Sequence, residues 1–307
     1  LPPKVEIDRP LKVSATAGVA MVAPMGILVR ILFALAGLCF VGAAFALVGF
    51  AAETGEDADR LRAAGARGRP VLVFLHGTMS SLQTIFNPAS IVLYGASNTG
   101  TVGGIVLKNL RRLVKVYPIN PRTDMLQGMR CYPNLESLPE VPEMAVFVVN
   151  SETVVREFEK FCRAGGKGAI IISDGFAESG RRELENRLRN LSLKYGVSYI
   201  GPNCLGIIDN FSGVNTMFIP PHRTGIIREP GGIGIISQSG GIGMELMEML
   251  EADRVGMGKW VSCGNSSSVG VPEILAHMGQ DPRIKIIAIY LEGLSEGLKL
   301  MEIGRQV

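Results

Sequence analysis

The chain is poor in the residue patterns that mark several common functions. Its five cysteines, Cys39, Cys131, Cys162, Cys204 and Cys263, are scattered and odd in number, with no C-x-x-C pair. That usage supplies neither a disulfide framework nor a zinc site, so no metal is expected, and it fits a reduced, cytoplasmic setting. Charged residues make up only 19% of 307 residues and leave a net charge of +3. With no basic run interleaved by aromatics, no nucleic-acid face is expected either. No G-x-S-x-G occurs, so no serine has the strained turn of a hydrolase nucleophile. What is abundant is apolar: 47% of the residues are hydrophobic, enough for two domains with large buried sheets.

The first 81 residues differ from the rest. Ile31 to Ala52 carries no charge and is rich in Leu, Ala, Phe and Gly. It reaches the roughly 20 residues that a bilayer core requires and is a candidate transmembrane helix over 31–52, with a buried core helix as the competing reading. Four basic residues precede it (Lys4, Arg9, Lys12, Arg30) and four follow (Arg60, Arg62, Arg67, Arg69), so charge does not orient it. The polar stretch 53–68 reads as a linker. Val71 to Gly77 reads as a strand ending in His76-Gly77; it resembles the strand before the oxyanion loop of α/β-hydrolases over about ten residues, without the nucleophile that such an enzyme needs.

From Leu82 onward, strands at 90–94, 115–119, 145–149, 169–173, 197–200, 233–237, 260–263 and 285–291 alternate with helical stretches. Such alternation predicts parallel sheets covered by helices, with ligands at the carboxyl ends of the strands. The first strand runs into Gly95-Ala96-Ser97-Asn98-Thr99-Gly100-Thr101-Val102-Gly103-Gly104 and then into a helical pattern. Glycines let the backbone approach a phosphate, and the helix start offers unpaired N–H groups and the positive end of its dipole. A structural turn without ligand is the competing reading, because the spacing is not a strict G-x-G-x-x-G. The second strand ends in Asn120-Pro121-Arg122, where a nicotinamide dinucleotide site would carry an acid for the ribose. Arg122 favours a phosphorylated ribose instead, as in NADP or coenzyme A, unless it is simply a solvated arginine.

Phe86-Asn87-Pro88, the turn at 95–104, Asn120-Pro121-Arg122, Ser173-Asp174-Gly175-Phe176 and Gly201-Pro202-Asn203-Cys204-Leu205-Gly206 stand in order along the chain. Together they resemble the CoA-binding portion of nucleoside-diphosphate-forming acyl-CoA synthetases, the family of ADP-forming acetyl-CoA synthetase and the succinyl-CoA synthetase α subunit. The resemblance runs from about Leu82 to the end of the chain. It implies an α/β fold: a Rossmann-like CoA-binding domain over 82–224, then a flavodoxin-like domain of succinyl-CoA synthetase type over 225–307. The residues it assigns to CoA are Gly95, Ser97, Asn98, Gly100, Thr101, Val102, Arg122, Asn150, Ser173, Asp174 and Asn203.

In the second domain, Gly231–Gly241 is another strand followed by a small-residue turn and a helix, an anion site in its own right, although a serine cap on a tight turn would read the same way. The resemblance assigns a phosphate to Ser237, Ser239 and Gly240, with Gly264 and Asn265 facing it from the next turn. It gives Glu292 the task of orienting a histidine that is transiently phosphorylated. The implied reaction converts acyl-CoA, phosphate and ADP or GDP into free acid, CoA and nucleoside triphosphate. The chain departs from the family at that histidine, whose loop would lie beyond Glu292: only His76, His222 and His277 occur, none in such a loop, and the chain stops at Val307. Met244 stands where the succinyl-CoA enzymes carry tyrosine. An ATP-grasp-type partner, or a missing region, would then hold the nucleotide and its Mg. The alternatives are a non-catalytic CoA sensor or scaffold, attached to a membrane through 31–52, and an NADP-dependent oxidoreductase.

Overall fold

The computed structural model describes residues 18–22, 49–50, 71–98, 100–111, 115–219, 230–293 and 296–307. Two sheets organise them. The first comprises β3 (Ile91–Tyr94), β4 (Val116–Ile119), β7 (Met144–Phe147), β8 (Gly168–Ile171) and β9 (Ser198–Ile200), all parallel in the order β4-β3-β7-β8-β9. Helices α2 (Val102–Leu110), α3 (Ser151–Arg163) and α4 (Arg182–Tyr195) make the crossovers. β3, β7 and β8 are buried at every residue, as expected of parallel strands covered on both faces. Met125–Leu126 and Met129–Arg130 form a small separate hairpin, β5 and β6.

The second sheet is built on β12 (Ile233–Ser237), β13 (Met257–Ser262) and β14 (Ile286–Leu291), parallel in the order β13-β12-β14. Helices α5 (Gly240–Ala252) and α6 (Val271–Gly279) connect them, and α7 (Gly297–Gly304) follows β14. Beyond β13 lie β10 (Ile207–Asp209) and β11 (Val214–Asn215), an antiparallel pair from the end of the first α/β unit. Beyond β14 lie β1 (Gly18–Val22), antiparallel to it, and β2 (Gly49–Phe50).

Both sheets contain a point where the strand order reverses. In the first it lies between β3 and β7; in the second, between β12 and β14. Crevices open at such points outside the carboxyl ends of the strands. The segment after β13 bridges the sheets: Val269 N–H donates to Tyr199 O (3.1 Å), Ser267 N–H to Gly201 O (3.2 Å), and the Tyr199 and Ser267 hydroxyls meet at 2.8 Å.

Two expectations need correction, and a third lies mostly beyond the described residues. Residues 71–77 are the first two turns of a helix, α1 (Val71–Phe86), and not a strand. The apolar run Val71–Leu75 satisfies either period, and no proline follows it up to Phe86; burial of Leu82, Ile85 and Phe86 against the first sheet and α6 favours the helix. Strand β13 begins at Met257, three residues before the expected start, because Lys259 is accommodated inside it at 5% exposure. Most of the candidate membrane span 31–52 lies outside the described residues, and its described part, Gly49–Phe50, is extended. Among the described residues no helix is long and apolar enough to cross a membrane.

Candidate functional site

A cleft of about 730 Å³ lies where the carboxyl ends of the two sheets face each other. Three helix N-termini open onto it. Val102 begins α2, Asn150 caps α3, and Ser239 and Gly240 begin α5; all four line the cleft. Each helix start carries N–H groups without intrahelical partners and about half a positive charge. Among the described residues no lysine or arginine lines the cleft, so the positive potential it offers comes from these backbone dipoles.

The turn after β3 is closely packed. Thr101 caps α2 by accepting the Gly104 N–H at 3.1 Å, its hydroxyl donates to Asn98 O at 3.0 Å, and the Ser97 and Thr101 hydroxyls are in contact. A side chain at Gly103 would stand 2.0 Å from Gly95 O, and one at Gly104 1.7 Å from Asn98 O. Gly95 itself has φ +86°. Two residues outside the set assigned to CoA brace this turn. Asn120 donates to Ala96 O (2.8 Å), and Gln127 donates to Gly104 O (2.8 Å) and Ser97 O (3.3 Å). Asn120 Oδ1 also accepts the Arg122 N–H at 2.9 Å, which fixes the start of the Arg122 loop beside the turn. Arg122 is exposed, and it stands outside the cleft lining together with Gly95, Ser97, Asn98, Gly100 and Thr101.

The remaining expected residues divide by use. Asn150 Oδ1 accepts the Thr153 N–H at 2.9 Å, so it caps α3 as it lines the cleft. Ser173 reaches the cleft too, but its hydroxyl is engaged by Phe147 O and the Val149 N–H. Asp174, Asn203 and Glu292 line the cleft and are exposed. Ser237 lies buried beneath it and donates to Ser239 O at 2.5 Å. Gly264 and Asn265 stand outside the lining. The Asn265 amide donates to Glu178 (2.5 Å) and Glu185 (2.7 Å) and accepts from Asn203 (3.3 Å), and so joins the sheets. Burial raises the Glu178 pKa, but Asn265 and the N–H groups of Phe176 and Gly175 outweigh it and hold this carboxyl below its ordinary range.

Gln238 was also missed by sequence reading. Its side-chain oxygen accepts the N–H groups of Glu292 (2.7 Å) and Gly293 (3.0 Å). The end of β12 thereby fixes the backbone that carries Glu292. Nothing in the sequence marks a glutamine whose work depends on a strand fifty residues on. Cys204 lines the cleft with a buried thiol that donates to Ile171 O at 3.3 Å; burial pushes its pKa up to about 12, leaving it protonated at neutral pH. Among the described residues no group of His, Cys, Asp or Glu is arranged to hold a metal ion.

Comparison with known proteins matches two segments of the chain to two domain families. Residues 89–210 match a CoA binding domain, and residues 230–307 a succinyl-CoA ligase-like flavodoxin domain. The chain is 36% identical over 221 residues to an ADP-forming acetate–CoA ligase of Methanocaldococcus jannaschii, covering 70% of this chain and 30% of the relative. It is 32% identical over 232 residues to the α subunit of an ADP-forming acetate–CoA ligase II of Pyrococcus furiosus, covering 74% and 49%. Among solved structures, a dinucleotide-forming acetyl-coenzyme A synthetase 1 of Ca. Korarchaeum cryptofilum, in complex with phosphate and ADP, superposes with a TM-score of 0.65 at 31% identity, covering 73% of this chain and 48% of that one. A Pyrococcus horikoshii OT3 protein superposes with a TM-score of 0.67 at 32% identity, covering 72% and 51%. The chain spans about half or less of the length of these curated relatives.

Proposed function

Since this chain belongs to the CoA-binding, α-type part of the nucleoside-diphosphate-forming acyl-CoA synthetases, we propose that it binds coenzyme A at the turn after β3 and carries the phosphate-handling half of an acid–thiol ligase. The observation that supports this most directly is the convergence of three helix N-termini on one cleft at two strand-order reversals. The turn at 95–104 holds the diphosphate of CoA, and Arg122 its ribose phosphate. The start of α5, at Ser239 and Gly240, holds inorganic phosphate.

In the direction of triphosphate synthesis, phosphate attacks the thioester carbonyl. The C–S bond breaks, the CoA thiolate leaves and takes a proton, and an acyl phosphate forms. The helix N-termini stabilise charge on the phosphoryl oxygens as it builds up. The phosphoryl group then passes to a histidine oriented by Glu292, releasing the free acid, and from there to ADP or GDP. The histidine and the nucleotide site, with its Mg, belong to an ATP-grasp-type partner or a further region of the protein. This chain on its own therefore binds CoA without making acyl-CoA.

Calorimetric titration of the whole chain with CoA, 3′-dephospho-CoA and NADP tests the first step. Micromolar CoA binding is expected, with no response to NADP. Arg122→Ala should weaken CoA about ten- to hundred-fold, the worth of one charge-assisted contact of about 1.5–3 kcal/mol, and leave 3′-dephospho-CoA unchanged. Absence of CoA binding overturns the reading. CoA binding without phosphate exchange in the presence of the partner would instead make the chain a CoA sensor.

A further inference from the structure

At the opposite ends of the strands from the cleft, a second cavity of about 570 Å³ lies between the end of α1, the loop after β10, the start of β13 and the end of α6. Its wall holds a cluster of charges that the CoA reading does not use. Lys259, 5% exposed, pairs with Asp281 at 2.9 Å and Asp209 at 3.6 Å, and its ammonium lies 5.0 Å above the Phe86 ring. Arg283 forks onto Asp281 with two bonds of 2.8 Å and lies 3.9 Å over the Phe211 ring. His277 stacks on Phe86 at 4.7 Å. It is 7% exposed, yet its Nε2 has no hydrogen-bond partner among the described residues.

The balance of donors and acceptors selects the chemistry. The carboxylates are engaged throughout: Asp209 Oδ1 accepts the N–H groups of Phe211 and Ser212, Asp281 Oδ1 accepts two from Arg283, and the outer oxygens face Lys259 and Arg283. The cations are not used up. Arg283 is half-exposed and makes no hydrogen bond through Nη1 among the described residues, and a guanidinium has five donors to place. Burial pushes the His277 pKa down to about 4, helped by Lys259 and opposed by Asp281, so the neutral ring offers one N–H at pH 7. A buried polar atom without a partner is rare enough to call for one. A ligand rich in acceptors would complete the site by pairing with the donors left open on Arg283 and with His277 Nε2.

We propose that this basal cavity is a second binding site, distinct from the CoA cleft, for a small oxyanion of the phosphate or carboxylate class, held by Arg283, Lys259 and the unpartnered His277 Nε2. It stands independently of the CoA reading.

The chain has three histidines, so the imidazole Hε1 resonances in a ¹H–¹³C spectrum of the whole protein report on the site, with the His277 signal assigned by its loss in His277→Gln. Potassium phosphate and potassium acetate are titrated separately, with potassium chloride as the ionic-strength control. The expected result is a saturable shift of the His277 signal with at least one of the two anions, absent with chloride; which anion acts identifies the ligand source. Arg283→Ala removes a donor, and Asn87→Asp adds a like charge to the wall at almost constant volume. Each should weaken the anion at least ten-fold, and since Asn87 is an exposed lining residue, its variant tests the site even if Arg283→Ala fails to fold. No shift with either anion, a shift reproduced by chloride, or one indifferent to Asn87→Asp would overturn the proposal.

Discussion

His277 makes stability depend on pH with a definite sign. Its folded pKa, about 4, lies below the ordinary histidine value of about 6.5. Between those values the unfolded chain binds the proton and the folded chain does not, so stability rises with pH across that window and falls as the solution is acidified. His277→Gln should flatten the slope of unfolding free energy between pH 6.5 and 4 by up to one proton's worth, as read by urea unfolding at a series of pH values. An unchanged slope would show that the proton is taken up elsewhere. Asp281 acts at lower pH: Arg283, then Lys259, hold its carboxyl well below the usual carboxylate range against the effect of burial. The stability it contributes is present above its unfolded pKa of about 4 and is lost only as pH falls below that. Asp281→Asn should thus cost most at neutral pH, and its difference from the parent should shrink below pH 4.

At the scale of elements, the loop at 95–104 joins sequence to function most directly. The clash of a Gly103 side chain with Gly95 O, at 2.0 Å, is with backbone and has no flexible atom to yield. Gly103→Ala must therefore displace either the turn or the first residues of α2. We expect a loss of stability of about 1–3 kcal/mol, seen in urea unfolding, and a loss of CoA binding by calorimetry that exceeds it in relative terms. A variant that binds CoA like the parent would mean that the ligand does not use this turn.

This turn was legible because glycine, serine and threonine crowded between an apolar run and a helical one mark a tight passage from strand to helix. The buried parallel strands were legible for a related reason: continuous runs such as Ile91–Tyr94 and Ile286–Tyr290 leave no polar face. The failures are also physical. Val71–Gly77 satisfied two periods, and only contacts with distant residues chose the helix. Lys259 hid the start of β13 because a charge inside a strand makes sense only beside Asp209 and Asp281, far away in the chain. Asn265, read as facing a phosphate, spends its amide on Glu178 and Glu185, partners that no local pattern connects to it. Gln127 and Gln238 act through backbone atoms of other elements, a role that leaves no trace in spacing, and Asn120 was legible as part of a motif but not as a brace of the turn.

At the scale of the whole molecule, the two sheets share an apolar core in which Leu82, Ile85 and Leu93 belong to the same cluster as Ile236, Ile274 and Ile289, polar contacts around the segment after β13 add to it, and the cleft lies between them. A ligand that touches α2 and α3 on one side and α5 on the other bridges both sheets. It must then stabilise both, although its main contacts are with the first. The chain's one tryptophan, Trp260, is fully buried in β13 of the second sheet, with its indole N–H donated to Gly243 O at 3.2 Å. Its fluorescence thus follows the sheet that does not carry the turn at 95–104. CoA at a hundred times its dissociation constant should stabilise the folded state by about 2.7 kcal/mol, raising the midpoint of the Trp260 transition together with that of the far-ultraviolet circular dichroism. Asn265→Ala removes the amide that ties Glu178 and Glu185 to the second sheet, and should lower both midpoints together, because the apolar core shared by the sheets still couples them. If CoA moves the dichroism midpoint of the parent protein and leaves that of Trp260 in place, the sheets unfold independently and the ligand belongs to the first sheet alone.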